Sequence, residues 1–273
     1  MRELARRVVD AALDLGPLRA ALLVGSAARG DADFYSDLDL LLFVDELPPP
    51  GRLDALREAV GGTNPVQIDG DKLVQFDVDG IATQVGYTTV AEQEEHLDRL
   101  LDRCEEIGSP YQKLLVGVLE GLALHGDDLV EGWRARAAAY PEPLRRAAIE
   151  HHWHFFPLWH YGDALAARDA ELWRLDMLLE AAFNLLGVLA ALNRVYFTRF
   201  QLKHTRSLVA KLTLAPPQLA DRLERLFRLP AEEAATELGR LVVETRELVA
   251  AELPDLDLPL RREPGERLEP WGR

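Results

Sequence analysis

Apolar residues fall into two rhythms along this chain. Over the first ninety positions they form short runs of strand length, separated by polar turns and interleaved with two helical stretches. After that they recur every three or four residues almost to the end. The first rhythm predicts strands at 21–24, 37–44, 66–68, 72–78 and 81–87, and helices at 2–15 and 52–60. Pro48, Pro49, Pro50 and Gly51 stop the second strand, Gly61 and Gly62 close the second helix, and Asp79-Gly80 supplies a hairpin turn. The second rhythm predicts helices at 90–103, 111–123, 129–140, 144–168, 170–196, 203–212, 216–228 and 231–252. Residues 254–273 mix Pro, Arg and Glu without period, as an ordered arm or a frayed tail would. The class is α+β: a small mixed-sheet domain at 1–90, then an all-helical bundle at 91–273, with no flexible linker between them.

The 273 residues are enough for two cores, and 48% apolar with 28% charged residues is a soluble, globular balance. The longest apolar run, 185–192, is too short to span a bilayer, and no basic segment followed by an apolar one opens the chain. With a single cysteine, Cys104, the expectation is a cytoplasmic protein without an internal disulfide. The net charge of −15 argues against binding long nucleic acid and would favour a cationic small partner.

The strand at 21–24 runs into Gly25-Ser26, and ten residues later the next strand opens with Asp37 and Asp39. Alternation along a strand puts those two carboxylates on one face, with Leu38 and Leu40 behind. Paired carboxylates repel unless a cation joins them, and an oxygen-only ligand set suits Mg2+ carrying a nucleotide's phosphates. Gly25 permits a sharp turn and close approach of phosphate to main-chain N–H groups, and the Ser26 hydroxyl can donate to it. Arg29 adds a planar cation able to grip phosphate or to brace the loop.

Gly-Ser, ten residues, then Asp-x-Asp resembles the nucleotidyltransferase superfamily that includes DNA polymerase beta. Within it the chain looks most like the bacterial aminoglycoside (kanamycin-type) nucleotidyltransferases with a C-terminal helical domain. The stretch from Ala190 to Phe197, with Lys203, extends that likeness into the helical half. The resemblance implies transfer of a nucleoside monophosphate, AMP from ATP, to a hydroxyl or amine of a small, aminoglycoside-like molecule. In that reading Asp37 and Asp39 hold magnesium, Gly25, Ser26, Arg29 and Lys203 bind the nucleotide, and Glu150 or His154 accepts the proton.

One departure stands out. Where the superfamily places a third carboxylate on a later strand, this chain has Gln84, which brings no charge and takes no proton. Asp77 is the nearest substitute, while Asp79 reads as a solvated turn. Glu150 and His154, four apart in Glu150-His151-His152-Trp153-His154, would share a helix face. The plain alternative is a packed aromatic-rich helix. Arg199, Lys203 and Arg206 would line one face if their segment is helical. Asp176, Glu180 and Asn184 form a stripe that is either a pocket wall or an outward face. Two other functions stay open: a catalytically degenerate nucleotide-binding or regulatory protein, and an antitoxin-type enzyme that adenylylates a protein.

Overall fold

A computed structural model describes residues 1–109 and 112–265. The first residue of the helix expected at 111–123 and the end of the C-terminal tail lie outside the described residues. The chain divides into two units, the first made of 1–105 with 113–140 and the second of 106–112 with 141–273.

The first unit is built on a mixed sheet of six strands. These are β1 (Ala20–Val24), β2 (Leu38–Val44), β3 (Thr63–Asp69), β4 (Leu73–Val78), β5 (Ile81–Thr89) and β6 (Leu122–His125), in the order β3-β4-β5-β2-β1-β6. Only β2 and β5 run parallel; the other neighbours are antiparallel. β4 turns directly into β5 through Asp79 and Gly80, both at positive φ as a tight hairpin requires. Strand alternation gives the sheet two faces. Leu38, Leu40, Leu42, Val74, Val85 and Tyr87 are buried against α1 (Arg2–Leu15) and, beyond the short α2 (Gly25–Arg29), against α3 (Arg52–Ala59). The opposite face carries Asp39 and Phe43. Phe43 packs on Trp133 at 4.7 Å between ring centroids.

Trp133 belongs to α6 (Asp127–Ala139), which follows α4 (Val90–Leu97) and α5 (Gln112–Glu120). Its indole donates to Glu94 of α4 at 2.6 Å, and Arg136 of α6 pairs with Glu94 and Asp98 at 2.7 and 2.6 Å. The helix expected at 90–103 passes into a π-helical turn at Asp98–Asp102. The helix expected at 111–123 ends at Glu120, and the next residues form β6 instead, because Leu122 and Ala123 pair with β1.

The second unit is helical: α7 (Glu142–His152), α8 (Gly162–Ala166), α9 (Glu171–Leu192), α10 (Thr205–Val209), α11 (Leu219–Leu226) and α12 (Ala231–Glu252). α9 is buried from Ala181 to Leu192 and forms the centre of a core shared with α7, α11 and α12. It is long and apolar enough to cross a membrane by length and composition, and it lies 72% buried in that core. The single helix expected at 144–168 is broken after His152. Trp153 is drawn into the core, where its indole donates to the carbonyl of Pro259 at 3.0 Å, and Pro157 cannot continue an α-helix.

Candidate nucleotide site

Buried strand β1 delivers the chain to Gly25 at φ +74°, a conformation that favours glycine. α2 begins there, with Ala27 and Ala28 buried in the sheet core. It closes at Gly30, whose N–H donates to the Ser26 carbonyl at 3.0 Å. Gly25 also meets a steric demand. A Cβ there would lie 3.0 Å from Oδ2 of Asp39.

Asp39 pairs in register with Val24 on β1 and with Gln84 on β5, so its carboxylate and the Gln84 amide share one sheet face. Gln75 continues the row on β4. Gly25, Arg29, Asp39 and Gln84 line one cavity of about 230 Å³, together with Lys113, Gly117 and Glu120 from α5. Arg29 Nε lies 3.2 Å from Asp31 and its Nη1 lies 3.6 Å from Glu120, so this guanidinium braces the loop against α5.

Asp37 precedes β2 by one residue and is exposed, outside the cavity wall. Asp77 shares the face of Gln84, but its carboxylate accepts from Asn64 Nδ2 at 2.8 Å. Among the described residues no group of three or more His, Cys, Asp or Glu side chains is arranged to hold a metal ion.

Glu150, His154 and Lys203 belong to the second unit. Glu150 and His154 do not share a helix face, because α7 ends at His152 and the chain turns there. Asn184 Nδ2 donates to the His154 carbonyl at 2.6 Å and fixes that turn, which also explains why Asn184 is buried while Asp176 and Glu180 are exposed. Arg199, Lys203 and Arg206 do not line one face either. A capping box between Thr198 and Gln201 winds 199–204 into a 3-10 helix, and α10 starts afresh after it. Arg199 lies over the Phe183 ring at 4.5 Å, and Arg206 pairs with Asp221 and Glu224 at 2.7 and 2.8 Å. Lys203 is exposed on the 3-10 turn.

Lys113 and Glu120 were missed by sequence reasoning. Their signal is an i, i+7 spacing around Gly117, which becomes informative only once α5 is known to lie against β1.

Comparison with curated proteins gives no match. Among solved structures the fold is similar to a nucleotidyltransferase-like protein from Exiguobacterium sibiricum 255-15. That match spans 92% of this chain and 76% of that one, at 12% identity and a TM-score of 0.43. Residues 5–112 match the family model of the nucleotidyltransferase domain, a stretch that holds β1 to β5 and Gly25, Ser26, Arg29, Asp37 and Asp39; the match supports nucleotidyl transfer as the general chemistry of this domain.

Proposed function

We propose that this protein transfers a nucleoside monophosphate, AMP from ATP, to a hydroxyl or amine of a small, aminoglycoside-like acceptor. The observation that carries the reading is the contact of bare Gly25 with the Asp39 carboxylate in a cavity also lined by Arg29. A phosphate lying over Gly25 would be close to the main-chain N–H groups of the turn and to a cation held by Asp39.

Asp39 on the cavity wall is an oxygen ligand of the kind magnesium takes, and it is the one carboxylate of the Asp37–Asp39 pair that lines the cavity. The absent Cβ of Gly25 leaves room for the Asp39 carboxylate beside the turn, and Asp37 lies two residues before it in the chain. Bound there, the ion would neutralise charge on the phosphates. The acceptor oxygen or nitrogen attacks the α-phosphorus in line, pyrophosphate leaves, and the acceptor's proton passes to a base or to water. The net charge of −15 favours a cationic acceptor over long nucleic acid, and the single cysteine fits the cytoplasm.

One observation favours a second reading. Gln84 stands beside Asp39 where a further carboxylate would complete the charge set, which fits a nucleotide-binding module without turnover. The assay is pyrophosphate release from ATP and Mg2+ across a panel of amino sugars and polyols. Asp39→Asn is expected to lower the acceptor-dependent rate on the order of 10²–10³-fold, as for loss of one preorganised charge stabiliser. An unchanged rate in that variant would refute the assignment. ATP binding without pyrophosphate from any acceptor would favour the second reading.

A further inference from the structure

α5 approaches the sheet through two glycines. A Cβ on Gly117 would lie 3.2 Å from Cγ1 of Val24, and one on Gly121, just past the helix, would lie 3.0 Å from the carbonyl oxygen of Leu23. Arg134 of α6 holds that end in place, donating to the carbonyls of Val118, at 3.0 Å, and Gly121. The helix is therefore seated on the end of β1, immediately before Gly25.

Lys113, Val116, Gly117 and Glu120 stand at i, i+3, i+4 and i+7, on one helical face, and all four line the cavity that holds Asp39 and Gln84. Both charges oppose the helix macrodipole. Lys113 is the second residue, near the positive end, and Glu120 is the last, at the negative end. Glu120 engages Arg29, which is also held by Asp31. Lys113 is the other cation on the wall.

A magnesium–triphosphate remains net negative, and here it would enter beside the carboxylate of Asp39. We propose that Lys113 binds the phosphates of the incoming nucleoside triphosphate. The assignment rests on the nucleotide reading of the cavity. It makes α5 the second wall of the nucleotide site and gives its glycine seam a purpose.

Calorimetric titration of ATP and adenosine, each with Mg2+, into the full chain tests this at two salt concentrations. Lys113→Gln is expected to weaken ATP about tenfold, to leave adenosine within about twofold, and to flatten the salt dependence of ATP binding. Lys113→Arg should recover most of the loss. Because the variant removes a charge that opposes the helix dipole, its thermal midpoint should stay level or rise. Wild-type affinity for ATP in Lys113→Gln overturns the role of Lys113 and leaves the nucleotide reading standing. Equal losses for ATP and adenosine mean a packing role and also overturn it. A wild-type chain that binds none of ATP, GTP, CTP or UTP with Mg2+ overturns the nucleotide reading and this inference together.

Discussion

At Gly25 one missing methyl group serves two ends. The backbone takes φ +74°, which costs an L-residue about 1–2 kcal/mol, and the space a Cβ would fill belongs to the Asp39 carboxylate. Gly25→Ala should lower stability by about that amount in urea unfolding and weaken ATP binding beyond what the stability loss explains. Full ATP affinity in that variant would separate Gly25 from the site. That Gly25, Arg29 and Asp39 lie together on one cavity was legible in the sequence because a short strand–turn–strand segment brings them close whatever the rest of the chain does. Lys113 and Glu120 were not, since a lysine and a glutamate flanking a helix glycine acquire meaning only when Gly117 lands on Val24. Asp37 illustrates the limit of strand alternation. The period of two holds, but β2 begins one residue later and leaves that carboxylate exposed, outside the cavity wall.

Among the elements, β1, β2, β4, β5, α1, α3 and α12 follow the apolar pattern closely, whereas β3, expected at 66–68, runs over Thr63–Asp69 and is exposed along its length. β6 did not declare itself. Four residues directly after a helix carry no period that distinguishes a strand from one more helical turn, and only pairing with β1 decides. The break after His152 has a similar origin. Position 153 satisfies helical spacing, but the core beneath Pro259 takes the Trp153 indole and turns the chain.

The seam between α7 and α9 is tight at the same place. A Cβ on Gly187 would sit 2.4 Å from the His152 ring, which also meets Phe183 and Phe197 edge-on. His152 is 2% exposed. Burial, helped by the neighbouring His151, pushes its pKa from 6.5 down to about 4. Above pH 6.5 the ring is neutral folded or unfolded, and stability is unaffected. Between pH 6.5 and 4 the unfolded chain takes a proton that the folded ring refuses, so stability falls by about 3 kcal/mol at 1.36 kcal/mol per pH unit. Below about pH 4 this group adds no further loss. Hydrogen exchange of α9 amides should quicken across that window, and His152→Leu should flatten the response. A slope that survives in the variant would assign it to other groups.

Over the whole molecule, the division into a sheet-based unit and a helical unit was legible from the change of apolar rhythm near residue 90. The detailed membership was not, because α5, β6 and α6 carry the helical rhythm and yet pack with the sheet. The backbone leaves the first unit after Glu105, returns after Gln112 and leaves again after Tyr140. A single nick within 106–112 would therefore not free a sheet unit from a helical one. The downstream fragment would keep β6 hydrogen-bonded to β1, Gly117 seated on Val24 and Trp133 stacked on Phe43 of the upstream one. Limited proteolysis there should yield two bands on a denaturing gel and one species on a sizing column. Separate elution of the pieces would show that those contacts are too weak to hold them. The same connectivity makes the chain a natural two-piece complementation system, in which neither fragment carries a whole nucleotide cavity until its counterpart joins it.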